Sequence, residues 1–405
     1  MKLRKLALAC AAIPAALFLT GCGSDDDSTS TSLQLYVNNV TSGSAVVPLD
    51  LYDINGSSFT KTTALTNLAA STLADRTNVV STAGTDIGNS VAVFSSNEAT
   101  PSSVQMTVYP VQGDGTLANG VIATRTNELG GAAIYSTEFA TPGVAIKADG
   151  TNVPYVVLTS GITSYEDGDI AVALIGGTQA APTFAALSIE ASATSGAGFG
   201  QVALQQNTAV EEPVAYITSI LPTDDGDPLT LQSAITRCQF GLDVNGSPAV
   251  VGNCLDKTVL NDDVGNGQIT LDINGDVVNG SIVTDVAGTA GGKNMIAVVQ
   301  NITDGEIDTS AILNCPVTNW AIDNRCALLD IEFPTGTPGE LFAQVQTNYN
   351  RSQIVINVQN NAGDEAAMVC SISADGMQIT GCVLPKDADA NKIEIDLDFD
   401  KYSAI

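Results

Sequence analysis

Histidine is absent from this sequence, and positively charged residues are scarce. Among 405 residues there are 15 Lys and Arg against 44 Asp and Glu, which gives a formal net charge of −29. Without an imidazole, the chain can build no Ser-His-Asp triad, no histidine general base and no histidine ligand for a metal or a haem. The negative charge also argues against nucleic acid as a partner, because phosphates would be repelled rather than neutralised.

Long apolar runs are also missing, except at the N-terminus. Lys2, Arg4 and Lys5 precede an apolar run over residues 6–19, which is too short to span a bilayer as a stable helix. The run ends in Leu19-Thr20-Gly21-Cys22, which resembles the signal of bacterial lipoproteins. The resemblance implies that residues 1–21 are a signal peptide and that Cys22 becomes the lipid-bearing first residue. An ordinary secretory signal with a chance cysteine is the alternative.

The segment that follows Cys22 is polar and holds no apolar side chain. Residues 22–32 are rich in Asp, Ser and Thr, so we expect a flexible tether. In the lipoproteins that the signal resembles, Asp directly after the lipidated cysteine marks retention in the inner membrane, and this chain has Gly23 there. The resemblance therefore implies a lipid-anchored protein of the cell envelope, in the outer membrane.

The body, residues 33–405, alternates apolar and polar side chains in short runs. Leu33-Gln34-Leu35-Tyr36-Val37 and Ile354-Val355-Ile356-Asn357-Val358 are examples, and such alternation predicts half-buried strands. Twelve Asn-Gly and Asp-Gly dipeptides, the residues that tight hairpin turns favour, separate the runs. The pattern predicts an all-β antiparallel protein. One short helix is expected near residues 64–76, where Leu65, Leu68 and Leu73 share a side.

Six cysteines remain after Cys10 and Cys22 are set aside. They fall into three close pairs, and each pair brackets a hairpin-like segment: Cys238 with Cys254, Cys315 with Cys326, and Cys370 with Cys382. The oxidising conditions of the envelope permit disulfides, and pairing between near neighbours is the simplest of the possible connectivities. A metal cluster is the rival interpretation, which the absence of any CxxC spacing disfavours.

Two stretches resemble the blades of lactonase-type β-propellers. Val108-Tyr109-Pro110-Val111, followed by Gly113-Asp114-Gly115-Thr116-Leu117, resembles an outer strand and its turn, and Pro142-Gly143-Val144-Ala145 resembles an inner strand of the next blade. The cysteine-bracketed hairpins resemble cysteine-decorated blades of exported propellers. The resemblance implies a β-propeller of about six to seven four-stranded blades. Tandem β-sandwich domains are the alternative, with residues 33–77 as a separate small unit.

A ring of blades must close. Residues 393–399 alternate well, and we expect them to pair with an N-terminal strand such as residues 33–37. Closure of this kind would remove sheet edges that otherwise invite aggregation.

Acidic loops are the candidates for a metal site. Ca²⁺ takes six to eight oxygen ligands, and the oxygen-rich loops with the best spacing contain Asp224, Asp225 and Asp227, and Asp387, Asp389 and Asn391. Solvated turns are the plainer interpretation of both loops. Ser58-Phe59-Thr60-Lys61 matches the S-x-x-K nucleophile motif, but its partner motifs S-D-N and K-T-G are absent, which favours chance.

These observations favour a binding or scaffold role over catalysis. The expected protein is an accessory of a transport or surface complex that captures an envelope protein, a glycan or a small ligand, with the membrane as partner through its anchor. The alternative is an extracytoplasmic lactonase-like or other hydrolase that uses carboxylates and Ca²⁺. The polar cluster of such lactonases is expected to include histidine, which this sequence lacks.

Overall fold

The fold was analysed in a computed structural model of the chain. Residues Thr31–Ile405 form one compact unit. The structure describes residues 33–38, 46–69, 77–82, 87–97, 100–126, 141–146, 152–159, 170–189, 198–205, 214–222, 230–242, 248–250, 256–259, 261–262, 270–272, 276–277, 280–287, 293–303, 306–318, 321–322, 325–329, 331–348, 352–360, 362–373, 378–395 and 401–404.

All regular structure in these residues is β-strand. The first strands are β1 (Leu33–Asn38), β2 (Val46–Asn55), β3 (Ser58–Ala69), β4 (Thr77–Ser81), β5 (Ser90–Asn97), β6 (Thr100–Pro110), β7 (Val121–Thr126), β8 (Thr141–Ile146), β9 (Asn152–Thr159), β10 (Ile170–Thr178), β11 (Ala181–Ile189), β12 (Gly198–Gln205), β13 (Val214–Pro222) and β14 (Thr230–Leu242). The others are β15 (Pro248–Val250), β16 (Asp256–Val259), β17 (Asn261–Asp262), β18 (Thr270–Asp272), β19 (Asp276–Val277), β20 (Gly280–Ala287), β21 (Lys293–Thr303), β22 (Glu306–Thr318), β23 (Ala321–Ile322), β24 (Arg325–Leu328), β25 (Leu341–Thr347), β26 (Gln353–Gln359), β27 (Glu365–Ile372), β28 (Ile379–Val383) and β29 (Lys401–Ala404). The predicted all-β class is confirmed, and no described helix is long and apolar enough to cross a membrane.

The described strands form six sheets, built mainly from consecutive antiparallel neighbours. Four sheets have four strands, in the orders β29-β1-β2-β3, β4-β5-β6-β7, β8-β9-β10-β11 and β25-β26-β27-β28. The other two are β12-β13-β14-β15, to which β16 and β18 add on β14, and β17-β24-β22-β21-β19, to which β20 and β23 add on β21 and β22. We number them sheets 1 to 6 from the N-terminus, so β25–β28 form sheet 6. In the described part, none of them closes on itself.

One edge strand of each sheet takes part in a continuous circle of contacts. β29 contacts β4, β4 contacts β8, β8 contacts β12, β12 contacts β20, β20 contacts β25, and β25 contacts β29. Sheet 1 combines both ends of the body, since β29 pairs with β1 in the register Leu35↔Ala404 to Asn38↔Lys401. Strands β1, β2 and β3 therefore share a sheet with β29.

The central strands are buried on both faces, which differs from the half-buried strands that alternation predicts. In β26 every residue from Ile354 to Val358 is buried. Val355 joins a core with Leu33 and Leu35 of sheet 1, whereas Ile356 joins a second core with Ile312 of sheet 5. Polar positions such as Asn357 are buried because another sheet, rather than solvent, covers each face.

The prediction of a helix near residues 64–76 is wrong for residues 64–69. Ala64 to Ala69 lie in β3, where Leu65 pairs with Leu49 and Leu68 pairs with Val47 of β2. The β-branched run Thr60, Thr62 and Thr63 lies just upstream and favours a strand. Pairing with β2 thus outweighs the helical spacing of the leucines, and the remaining residues of the expected helix lie outside the described part.

The C-terminal strand that pairs with β1 also lies later in the sequence than predicted. Residues 401–404 form the strand that pairs with β1, and residues 393–395 belong to no strand. The other residues of the predicted strand, 396–399, lie outside the described part. Ile393 and Ile395 are fully buried between sheets 1 and 6, and Glu394 is exposed. The alternation of apolar and polar residues therefore indicates here an extended segment that is buried on one side, and not a strand of a sheet.

The segment before β29 binds sheet 1 and sheet 6 at several points, and we call residues 384–395 the strap. Lys386 forms a parallel bridge with Ser58, with Phe59 N donating to Lys386 O (3.3 Å) and Lys386 N donating to Ser57 O (3.0 Å). Farther along, Ala367 N donates to Ile393 O (2.9 Å) and Asn357 Nδ2 donates to Ile395 O (2.9 Å). The strap therefore joins the first sheet to the last.

The burial of the strap predicts a sharp contrast among three adjacent residues. Ile393→Ala and Ile395→Ala should each lower the free energy of unfolding by about 2–5 kcal/mol, because each opens a cavity between two sheets. The matched control Glu394→Ala removes an exposed side chain and should change it by less than about 0.5 kcal/mol. Urea unfolding followed by circular dichroism measures all three. Equal effects at the three positions would contradict the assignment of the strap as a core element.

Candidate functional site

Several of the predicted site residues lie outside the described part. Cys22, which the lipoprotein resemblance assigns to the anchor, is one of them, as are Asp224, Asp225 and Asp227 of the first candidate calcium loop. Lipidation and a calcium site at that loop stay predictions.

The second candidate calcium loop is an exposed turn inside the strap. Lys386 and Lys392 pair across it, Asp387 N donates to Asn391 O (2.9 Å), and Ala390 N donates to Asp387 O (3.1 Å). Asp387 Oδ1 accepts hydrogen bonds from Asp389 N (2.9 Å) and Asn391 N (2.8 Å), and its Oδ2 accepts one from Asn391 Nδ2 (2.9 Å). The carboxylate of Asp387 thus organises the turn.

The electrostatics of this turn follow from those hydrogen bonds. The side-chain amide of Asn391, helped by the backbone N–H groups of Asn391 and Asp389, holds the pKa of Asp387 below its usual value. Both carboxylate oxygens already serve as acceptors within the turn. Among the described residues, no three His, Cys, Asp or Glu side chains group in a way that could hold a metal ion. Calcium at Asp387, Asp389 and Asn391 therefore stays a prediction.

A second turn, between β6 and β7, has the same hydrogen-bond pattern. Gln112 N donates to Thr116 O (2.8 Å) and Gly115 N donates to Gln112 O (2.9 Å), as Asp387 and Ala390 do in the strap. The fourth residue of each turn has a positive φ, 80° at Gly115 and 66° at Ala390. The sequence contains a signal for this equivalence: a Pro stands four residues before an Asp in both places, at Pro110 and Pro385.

The turn of sheet 2 is anchored to sheet 1 by a buried tyrosine. Tyr36 of β1 is fully buried, and its hydroxyl donates to Gly115 O at 2.8 Å. Burial, and to a smaller extent the charge of Asp114, raises the pKa of Tyr36, so the hydroxyl stays protonated and able to donate. Asp114 itself accepts from Thr116 Oγ1 (2.6 Å) and Thr116 N (3.0 Å), and these bonds lower its pKa. The arrangement fixes one sheet against the next.

The S-x-x-K stretch forms no nucleophile–base pair. It lies in β3, where Ser58 pairs with Asn55 and Lys61 pairs with Tyr52, so the two side chains point to opposite faces. Lys61 Nζ instead contacts Asp50 Oδ2 at 2.9 Å, and Thr63 Oγ1 donates to Asp50 Oδ1 at 3.2 Å. Burial lowers the pKa of Lys61, but its hydrogen bonds to Asp50 and Tyr52 outweigh that effect and raise it, which keeps the amine protonated.

One predicted cysteine pair is joined in the described part. Cys370 of β27 and Cys382 of β28 form a disulfide, which links the third and fourth strands of sheet 6. Cys370 lies in the core shared with sheet 5, and Cys382 packs against that core. Because both half-cystines face this core, the bond ties the outer strand of the sheet to its centre.

The backbone register brings a second cysteine pair together. β22 and β24 pair as Leu313↔Leu328 and Asn314↔Ala327, so the next step along the ladder places Cys315 opposite Cys326. Leu329 N donates to Ile312 O (2.8 Å), so Ile312 and Leu329 form a hydrogen-bonded pair. Hydrogen-bonded and non-hydrogen-bonded pairs alternate along an antiparallel ladder, and three steps farther on Cys315 and Cys326 form a non-hydrogen-bonded pair. The Cα atoms of such pairs are about 4.5 Å apart, which lies within the range that disulfides span. Cys238 lies in β14, and Cys254 lies outside the described residues.

Comparisons with known proteins identify no family. No family model matches the chain, and no curated protein matches it. Among solved structures, a Bacteroides fragilis protein named "putative 6-phosphogluconolactonase" aligns over 94% of this chain and 100% of its own, at 11% identity and a TM-score of 0.40. One of that name from Bacteroides uniformis covers 92% and 99%, at 12% identity and 0.36. TolB from Acinetobacter baumannii covers 87% and 66%, at 11% identity and 0.38. Likenesses at this level establish neither a shared fold nor a shared activity.

The close packing of Gln34 and Leu51 around Gly115 predicts that a side chain at Gly115 is poorly tolerated. A Cβ there would lie 2.7 Å from Gln34 Nε2 and 3.0 Å from Leu51 Cδ2, in addition to the strain of φ +80°. Gly363 is the matched control, since its φ is +79° and a Cβ would meet nothing within 4 Å. Gly363→Ala should lower the free energy of unfolding by about 1–2 kcal/mol through strain alone. Gly115→Ala should lose about 1–3 kcal/mol more, and equal losses in urea unfolding would contradict the close contact.

The register at β22 and β24 predicts a disulfide between Cys315 and Cys326. Proteolysis of the oxidised protein without reductant should yield one linked peptide that contains both residues, and mass spectrometry identifies it. The double variant Cys315→Ser with Cys326→Ser should lack this peptide, retain the Cys370–Cys382 link, and unfold with about 3 kcal/mol less free energy, the value expected for a loop of this length. A free Cys315 thiol, or its linkage to another cysteine, would refute the assignment.

Proposed function

We propose that this protein is a lipid-anchored β-propeller of the cell envelope with six blades, one for each sheet, and that its role is to bind or scaffold. The observation that carries the proposal is the circle of contacts among β29, β4, β8, β12, β20 and β25. A circle of edge strands, each belonging to a different sheet, is the arrangement expected when blades surround a common axis. Tandem sandwiches would instead pair the sheets two by two.

Two further features support the ring. Sheet 1 takes β29 from the C-terminus and β1–β3 from the N-terminus, so the last residues of the body complete its first sheet. Three separate cores also lie between neighbouring sheets: one between sheets 2 and 1, one between sheets 1 and 6, and one between sheets 6 and 5. A blade buried on both faces needs a neighbour on each side, and a ring supplies one to every blade.

A binding role accords with the chemistry of the described side chains. The full sequence offers no imidazole for acid–base work. The carboxylates of Asp387 and Asp114 accept hydrogen bonds inside their own turns, and Asp50 is paired with Lys61. These groups stabilise loops and strands, whereas a general acid or a nucleophile must reach a substrate. A rigid ring that presents many loops suits the capture of a protein, glycan or small ligand.

The anchor belongs to the proposal through the lipoprotein-like signal. Acyl chains on Cys22 would bind the membrane firmly, since each buried CH₂ contributes about 0.8 kcal/mol. Residues 22–32 would then span at most about 36–40 Å between the membrane and β1, at 3.3–3.6 Å a residue. A partner or ligand would accordingly be met close to the membrane surface.

The decisive experiment compares the full chain with its Cys22→Ser variant in a Gram-negative host. The wild-type protein should enter the membrane fraction and yield an acylated N-terminal peptide that starts at Cys22, and the variant should do neither. The purified protein is then incubated with 6-phosphogluconolactone and an acyl homoserine lactone, with Ca²⁺ or with EDTA. We expect no hydrolysis above the rate in buffer. Calcium-dependent turnover would replace the binding role by the hydrolase alternative, and a different mature N-terminus would remove the anchor alone.

A further inference from the structure

Asn119 and Gly120 form a bulge in the β6–β7 hairpin. On one side of it Ala118 N donates to Pro110 O (2.8 Å), and on the other side Val121 pairs with Val108. Between these two points, Tyr109 of β6 faces two residues, Asn119 and Gly120, so the hairpin carries one extra residue. The side chain of Asn119 is exposed to solvent.

Close packing makes glycine necessary at the second bulge position. A Cβ on Gly120 would lie 2.5 Å from Thr107 Cγ2 and 2.5 Å from Tyr109 Cε1. Thr107 is buried and Tyr109 packs against the core between sheets 1 and 2, so neither side chain can move aside at small cost. The fold therefore places a residue without a side chain directly after an exposed asparagine.

This combination favours a known reaction of the asparagine side chain. The backbone N of Gly120, after loss of its proton, can attack Cγ of Asn119, because no side chain shields it. A bond forms between that nitrogen and Cγ, and the amide nitrogen leaves as ammonia, which produces a five-membered succinimide. Water then opens the ring at either carbonyl and leaves aspartate or isoaspartate, so the only co-reactant is water.

The other Asn-Gly pair in the described residues is held differently. Asn55 is the last residue of β2 and pairs with Ser58 across a two-residue turn, and its carbonyl also accepts a hydrogen bond from Ser58 Oγ at 3.1 Å. Ring closure requires the asparagine backbone to leave its extended conformation, which at Asn55 means breaking the end of the hairpin. Asn119 belongs to no strand and lies in the bulge, between the hydrogen bond of Ala118 and the pair of Val121 with Val108. Its conversion therefore does not require a hairpin end to break.

We propose that Asn119 is a site of spontaneous conversion to aspartate and isoaspartate in the folded protein, and that Asn55 is protected by its hairpin. The reaction adds a negative charge beside the turn of Asp114. Isoaspartate also adds a methylene to the backbone between Ala118 and Val121, which displaces the ladder that holds β7. Conversion at Asn119 therefore loosens the outer strand of sheet 2.

The test follows both asparagines in one sample of the full-length protein. The folded protein is incubated at mildly alkaline pH in heavy-oxygen water, so that conversion during the incubation is labelled, and peptides are mapped by mass spectrometry. Asn119 should convert at least about tenfold faster than Asn55, since an opening free energy of about 1.4 kcal/mol already reduces the open population tenfold. In urea the two sites should convert at similar rates, because both are then flexible Asn-Gly pairs.

Matched variants complete the design. Asn119→Gln should abolish labelling at position 119 and leave Asn55 and the circular dichroism spectrum unchanged. Ser57→Gly, which loosens the turn beside Asn55, should raise conversion there and leave Asn119 unaffected. Equal rates at the two sites in the folded protein, or an unlabelled Asn119 that reacts only in urea, would overturn the proposal.

Discussion

Burial on both faces, which sheets 1 and 6 show in the described residues, is the constraint on which this part of the structure depends. Strand β1 shows it most directly, because Leu33, Leu35 and Val37 pack toward sheet 6 while Tyr36 packs toward sheet 2. A sheet with two apolar faces is stable only when both are covered, since each buried apolar side chain contributes about 1.5–3 kcal/mol relative to its exposed form. Every such sheet therefore needs a neighbour on each face.

At the junction of sheets 1 and 6, the strap and β29 supply the cover that sheet 1 needs. The strap covers the beginning of β3 through Lys386, fills the space between sheets 1 and 6 with Ile393 and Ile395, and leads to β29 on the opposite edge of sheet 1. Sheet 1 is thus held at both edges and across one face by residues far away in sequence. In the proposed propeller, β29 completes the sheet that β1 begins.

Polar groups in this molecule mainly position the backbone. Asp387, Asp114 and Asn360 each accept backbone N–H groups within their own turns. Tyr36 spans from one sheet to the turn of the next. Asn357 is fully buried and donates to the strap, although its Oδ1 accepts no hydrogen bond in the described part. These groups hold turns and neighbouring sheets in place.

Local sequence determined which segments are strands and where several turns lie. The alternation near Leu33 and Ile354 predicted β1 and β26, Asn55-Gly56 predicted the turn that the structure places at Gly56 and Ser57, and the spacing of Cys370 and Cys382 predicted their disulfide. These signals depend on neighbouring residues, whose dihedral preferences and side-chain period act within a few positions. Only the tertiary structure decided that β26 is covered on both faces, that the leucines after Ala64 extend a strand, and that Ile393 and Ile395 fill a core while residues 401–404 form the closing strand. The physical reason is that burial depends on which distant sheet covers a side chain, and the neighbouring residues in the sequence carry no information about that sheet.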